Sequence, residues 1–296
     1  MAERIPLCEP WQSGNEAAYV ADALARNEIA QGEYIGRFEQ VVADYVGTRY
    51  AVAVSSGTAA LHLALLAAGV GPGDEVIVPD LTFIATANAV RYCGAMPVFV
   101  DVEPEHWQMD PEKVRDYMDN RCSPTRGGIL MSDHGRRVKA ILPVHLLGHP
   151  APVFQLGTLA ATHRMPVVWD AAEALGASVG LYPPPVNVGP YRDFQIGHQW
   201  ILSCLSFNGN KIVTTGGGGM VLTDDEALAT CVRYLANQAK DDPVEYRHGA
   251  IGHNYRLSNV QAAIGCAQME TIGERLAAKR RIAETYSEGL KGVPGI

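Results

Sequence analysis

Lys211 closes the hexapeptide SFNGNK (206–211) and stands between an apolar run, ILSCLSF (201–207), and a glycine-rich stretch, TTGGGG (214–219). No acidic residue adjoins it in sequence, and lysine is scarce, with six lysines against eighteen arginines. A lysine at the end of a buried run loses solvation of its ammonium form and becomes a nucleophilic amine, whereas the plain alternative is a solvated surface residue. Asp170 ends a second apolar run, PVVWD (166–170). A carboxylate there is costly unless it is paired or hydrogen-bonded, so a cation or an N–H group must face it. A third polar group is SSGT (55–58), just before a helix-forming stretch. Gly57 permits close backbone approach, and the Thr58 hydroxyl with the free N–H groups of the helix suits a phosphate, although the same residues also serve as an ordinary N-cap. Ser206 and Asn208 lie beside the lysine. A hydroxyl-and-amide cradle, a carboxylate for a ring nitrogen and a lysine for a Schiff base are together what pyridoxal 5′-phosphate requires.

These residues must be held by alternating elements. Short β-branched runs bounded by Gly, Pro or Asp recur at 51–55, 75–79, 97–102, 140–148, 166–170, 201–207 and 218–223. Between them lie stretches with helical spacing of apolar residues, such as AALHLALLAAG (59–69) and TFIATANAVRYCG (82–94), and a short helix near 153–163. This is the pattern of βαβ units, and it predicts an α/β fold with a mostly parallel sheet sandwiched by helices. Residues 120–137 read as a loop or insertion, and METIGERLAAKRRIAETYSEGL (269–290) reads as one long amphipathic helix. The expected division is a large domain over 1–268 and the first helix of a second, apparently truncated unit over 269–296.

Composition narrows the function. The chain has 296 residues, 47% hydrophobic and 19% charged, with a net charge of −8 and no dominant acidic tail. A general nucleic-acid or anionic-membrane surface is not expected, so an anionic ligand must be held by local donors. No apolar stretch approaches the roughly 18–20 residues of a membrane helix, and the N-terminus does not suit a secretory signal, which makes a cytoplasmic location the default expectation. The cysteines at 8, 93, 122, 204, 231 and 266 are scattered without metal-binding spacing and read as free or buried thiols. His145 and His149 read as core or loop histidines, and no metal site is expected. GASVG (176–180) matches a nucleophile elbow around Ser178, but the prolines that follow oppose the helix which that elbow needs. Lys211 precedes the glycines and is followed by Ile212, so no phosphate-binding P-loop is present.

The stretches SGTAALHLALLAAGVGPGDEVIVPDLTFIATANAV, VDVEPEHWQMDPEKV, PVHLLGH, DAAEALGA, SFNGNKIVTTGGGGMV and GHNYRLSNVQAAIG, in this order, carry a resemblance to a known family. From about Pro6 onward the chain resembles the DegT/DnrJ/EryC1/StrS sugar aminotransferases, especially those acting on nucleotide-linked 4-keto-6-deoxy sugars. The resemblance implies a three-layer α/β/α, aspartate aminotransferase-like large domain that binds pyridoxal 5′-phosphate. It implies Lys211 as the Schiff-base lysine and proton shuttle, Asp170 at the pyridine nitrogen, and Ser206, Gly57 and Thr58 at the phosphate, with Ala59 and Asn208 also at the cofactor. Phe83 would stack on the ring, Glu173 would take a place where relatives often have Gln or His, and Asn254 would reach the cofactor phosphate of a neighbouring subunit in a homodimer. The implied reaction moves an amino group from L-glutamate to a keto carbon of the sugar. The lack of an acidic neighbour fits an amine that must shed its proton. A cofactor-binding protein without transaminase activity is the other reading that the family allows, because its C-terminal domain ordinarily extends past the equivalent of Ile296.

Overall fold

The computed structural model describes residues 6, 8–12, 14–179, 194–195, 202–242 and 244–295. Two helices, α1 (Glu16–Ala25) and α2 (Glu33–Val46), precede the first strand. The chain then alternates as β1 (Tyr50–Val54), α3 (Gly57–Ala67), β2 (Glu75–Pro79), α4 (Ile84–Tyr92), β3 (Met96–Val100) and α5 (Pro111–Arg121). A small hairpin, β4 (Cys122–Pro124) and β5 (Leu130–Ser132), leads into β6 (Val138–Ile141), α6 (Val153–Thr162) and β7 (Val168–Asp170). A two-residue pair, β8 (Ser178–Val179) with β9 (Phe194–Gln195), comes before β10 (Leu202–Ser206) and β11 (Gly219–Thr223). Helices α7 (Glu226–Ala236), α8 (Asn259–Glu270) and α9 (Ile272–Gly289) complete the order.

The strands β3-β2-β6 and β7-β10-β11-β1 form two hydrogen-bonded groups. Parallel bridges Ile141↔Val167 and Val144↔Asp170 join them into one continuous sheet. Neighbours are parallel where a described helix makes the crossover, as between β2 and β3 or β6 and β7. β11 alone runs antiparallel to both its neighbours, since the loop after β10 turns back at the same end of the sheet.

Alternation along the strands divides the core between the two faces. Val52, Val54, Val168 and Val221 pack under α3, α4 and α7, while Ala51, Ala53, Met220 and Leu222 pack against α2 and α8. Farther along that second face, Ile77, Ile141, Val167 and Trp169 pack against α5 and α6. Helices on both faces of a mainly parallel sheet are the three layers expected from the alternating pattern.

Two expectations change. Residues 120–137 are no plain loop: they hold the end of α5 and the β4–β5 hairpin, whose turn closes with Gly128 N donating to the Thr125 carbonyl at 2.9 Å. The stretch 269–290 is two helices rather than one, since Thr271 (φ −118°, ψ 17°) ends α8 before α9 starts. Arg275 stabilises this break by donating to the Thr271 hydroxyl at 3.2 Å and to the Gln268 carbonyl. The triple-proline segment behind the argument against a Ser178 elbow lies outside the described residues. Ser178 itself sits in the two-residue strand β8. All six cysteines are free, and no described helix is long and apolar enough to cross a membrane.

Gly219 shows how closely the sheet meets the start of α3: a Cβ there would lie 2.3 Å from the Ser56 carbonyl oxygen. Gly219→Ala is therefore expected to lower stability by about 1–3 kcal/mol in denaturant unfolding. Gly36→Ala, within α2 and with nothing near the added carbon, is expected to raise it by roughly 0.5–1 kcal/mol.

Candidate active site

The carboxyl ends of the parallel strands open into a cavity of about 570 Å³. Such ends are where open α/β sheets bind ligands, because the crossovers leave a crevice beside helix N-termini. β1 leads into Ser56 and Gly57, β7 ends on Asp170, and β10 ends on Ser206 with Lys211 a short turn later. All of these residues, together with Thr58, line the cavity.

The phosphate end is recognisable from what is missing between two elements. A Cβ on Gly57 would lie 2.8 Å from Ser206 Cβ, so only glycine lets the N-terminus of α3 come this close to the end of β10. Ser56 caps the helix, its hydroxyl accepting from Ala59 N at 3.0 Å. The N–H groups of Gly57 and Thr58 find no acceptor among the described residues, as the first turn of a helix leaves them. N-cap and anion site are thus both present, on different groups of the same turn. Ala59 is the exception among the expected residues: it is buried, its N–H is taken by Ser56, and it does not line the cavity.

Asp170 is only 5% exposed. The groups that face it are the Thr86 hydroxyl, donating to Oδ2 at 2.8 Å, and Ala172 N, donating to Oδ1 at 3.2 Å. Since the single Thr86 hydrogen goes to the carboxylate, the Thr82 hydroxyl, 2.8 Å away, donates to Thr86. Burial pushes the Asp170 carboxyl above its ordinary range, while Thr86, the Ala172 N–H and Lys211 pull the other way. Sequence reasoning missed Thr86, whose only signal is its place in the first turn of α4, three residues after Phe83.

Lys211 meets an acid after all. Its Nζ lies 3.0 Å from Glu173 Oε1, with the lysine side chain 16% exposed and the glutamate 39%. The expectation of an amine without an acidic neighbour is overturned, because the turn after β7 brings Glu173 across a separation that adjacency in sequence cannot register. The other oxygen, Oε2, accepts from Leu147 N at 3.0 Å. Glu173 thus ties the amine to the 146–148 turn. The lysine backbone is held by Lys211 N donating to the Asn208 carbonyl at 3.0 Å.

Phe83 stands 76% exposed at the cavity and is not part of the core. Ala172, Asn208, Asn210 and Gly217 also line it. Gly217 is pinned from α8, its carbonyl accepting from Gln261 Nε2 at 2.6 Å. His145 is a core histidine as expected: it stacks on Trp169 at 5.2 Å, its Nδ1 accepts from Ala151 N at 3.0 Å, and burial pulls its pKa down to about 3. His149 is exposed and stacks on His106. Asn254 is exposed, bridges to Asn237 and does not line this cavity.

A phosphate cradle without side-chain obstruction, a buried carboxylate, a lysine and an exposed aromatic ring at one cavity fit pyridoxal 5′-phosphate in donor set and in room. Comparison with known proteins agrees. A model of the DegT/DnrJ/EryC1/StrS aminotransferase family matches residues 11–296. GDP-perosamine synthase of Caulobacter vibrioides is 42% identical over 288 residues, covering 97% of this chain and 70% of that protein. Among solved structures, DesV of S. venezuelae superposes with a TM-score of 0.81 at 36% identity, over 95% of this chain and 68% of that one. NtdA of Bacillus subtilis, solved with bound cofactor PMP, gives 0.78 at 29% identity, over 94% and 57%.

A carboxyl held above its unfolded pKa binds its proton more tightly in the folded state, so its contribution to stability falls as pH climbs from the ordinary carboxylate range through the folded titration. For cofactor-free protein, Asp170→Asn is expected to raise the thermal midpoint at pH 8 by roughly 2–4 °C, with the advantage shrinking towards acid. Calorimetry across pH checks this, and an equal or lower midpoint at pH 8 contradicts it.

Proposed function

The chain belongs to the DegT/DnrJ/EryC1/StrS aminotransferase family, whose enzymes use pyridoxal phosphate, and from that premise we propose that it moves an amino group from L-glutamate to a keto carbon of a nucleotide-linked 4-keto-6-deoxy sugar. The observation that carries the reading is the convergence of Lys211, Asp170 and the Gly57–Ser206 cradle on one cavity at the carboxyl ends of β1, β7 and β10. The naming of a GDP-perosamine synthase among the relatives supports a sugar nucleotide as the acceptor.

When bound, pyridoxal phosphate supplies the carbon that carries the amino group and a ring that takes up electrons. The Ser206 and Thr58 hydroxyls and the free N–H groups of α3 bind its phosphate. Asp170, oriented by Thr86 and Ala172, holds a proton on the ring nitrogen. Phe83 covers a ring face, and Asn208 borders the bound cofactor. Lys211, freed from Glu173, would be the amine that holds the cofactor, and its Nζ would carry the proton that moves during amino transfer. Glu173, with its carboxylate at the cavity, orients that nitrogen. Glutamate gives up its amino group and leaves as 2-oxoglutarate, and the keto sugar departs as an amino sugar.

The active form is a homodimer in which Asn254 of one subunit binds the cofactor phosphate of the other. Support comes from the exposed apolar side chains near it in the chain: Val244, Tyr246 and Ile251 are 83%, 89% and 86% exposed.

Purified protein with pyridoxal phosphate, glutamate and a panel of keto-sugar nucleotides is expected to release 2-oxoglutarate with at least one of them; release with none contradicts the reading. Lys211→Ala is expected to abolish cofactor fixation by borohydride while leaving the fold intact, and a persistent covalent adduct would identify another amine. Mixing Lys211→Ala with Asn254→Ala subunits is expected to restore about a quarter of native turnover, since half of the dimers then hold one intact site. No recovery in dimers shown to have exchanged subunits excludes the shared site.

A further inference from the structure

Leu147 has a left-handed backbone, φ 56° and ψ 21°, and is followed by Gly148 at φ 79°. For a leucine this conformation brings Cβ against the following carbonyl and is disfavoured; glycine or asparagine would occupy it more readily. Packing does not account for the residue, because Leu147 is 74% exposed and contributes to none of the three cores. Leu147 lines the cavity instead.

The turn that presents it is fixed on both sides. Leu147 N donates to Glu173 Oε2 at 3.0 Å. Leu146 N donates to Gln108 Oε1 at 3.2 Å, and the buried Gln108 side chain returns a bond to the Leu146 carbonyl at 3.4 Å. A Cβ on Gly148 would meet the Glu173 carbonyl oxygen at 2.9 Å, so the turn also lies against the Glu173 backbone. A strained, exposed apolar residue held this firmly at a cavity points to a contact with a ligand, since strain persists where function keeps it.

The same bonds locate that contact. Glu173 holds Lys211 Nζ with one oxygen and Leu147 N with the other, so the two nitrogens lie within about 8 Å, the span of two hydrogen bonds and a carboxylate. Leu147 therefore borders the part of the substrate that reacts, and not its distant nucleotide. In a hexose reacting at C4, C6 is two bonds from the reacting carbon. We propose that Leu147 is a specificity-determining residue that packs on the C6 methyl of a 4-keto-6-deoxy sugar and disfavours the sugar that carries a hydroxyl there. This deepens the sugar-nucleotide reading and rests on it. An apolar contact of this kind leaves an added hydroxyl unpaired and discriminates by about 10- to 100-fold.

The test compares kcat/KM of the pyridoxal phosphate-loaded enzyme for two nucleoside-diphosphate 4-keto hexoses, one with a C6 methyl and one with a C6 hydroxyl. Native protein is expected to favour the methyl sugar by about 10-fold or more. Leu147→Asn, which tolerates the left-handed backbone, is expected to bring the two to within about threefold without lowering the thermal midpoint. Leu147→Met, which keeps the apolar contact, is expected to retain the preference. Native turnover of the methyl sugar with a preference that Leu147→Asn leaves intact overturns this proposal alone. Turnover of neither sugar by the native enzyme overturns the sugar-nucleotide reading, and this proposal with it.

Discussion

The buried carboxylate of Asp170 is the constraint around which the rest of the site is arranged. It lies in the middle of the sheet, on the strand β7 that joins the two strand groups, and it is 5% exposed. Charge in such a place costs several kcal/mol unless it is answered. The chain answers it only in part, with hydrogen bonds from one hydroxyl and one backbone N–H and the charge of Lys211 acting without a direct bond. What remains is an unfilled preference for a cation or a strong N–H donor at the cavity, which is the property that a protonated ring nitrogen satisfies. In the proposed reading, stability given up at this carboxylate would favour the cofactor, a trade expected where function needs a buried charge.

Lys211 is governed by a second arrangement, built from Glu173. One carboxylate oxygen holds the amine and the other holds the backbone of the 146–148 turn. The amine and the wall of the cavity next to it are thus positioned by the same side chain. Any shift of Glu173 moves both, so Lys211 and the 146–148 turn stay in register. On the far side, Gln261 fixes Gly217 and the absence of a side chain on Gly57 lets β10 approach α3. The cavity is consequently framed by hydrogen bonds from several elements and does not depend on one loop.

How much of this the sequence made legible depends on whether the cause was local. Strand and helix alternation, the three layers and the positions of Asp170, Gly57, Ser206 and Lys211 follow from period and from polar residues at the ends of apolar runs. Thr86 was not legible, because its role exists only once α4 packs beside β7. The Lys211–Glu173 contact joins residues 38 apart in sequence, and no adjacency rule could find it. Leu147 reads as an ordinary apolar residue in VHLLGH until its backbone is seen to be left-handed. The hairpin at 122–132 was hidden because its strands are three residues long, too short to show an alternating pattern. The break at Thr271 was hidden because the breaking residue is neither Gly nor Pro and Gly273 falls inside the first turn of α9; Arg275 holds the break from one turn later.

The account stands on Asp170 keeping a proton on the ring nitrogen of the cofactor. The most direct measurement is nitrogen NMR of the protein loaded with pyridoxal phosphate labelled with ¹⁵N in the ring, at neutral pH. A pyridinium-type shift in native protein that reverts to the neutral-pyridine value in Asp170→Asn is the predicted result. A neutral-pyridine shift in the native protein would contradict the account.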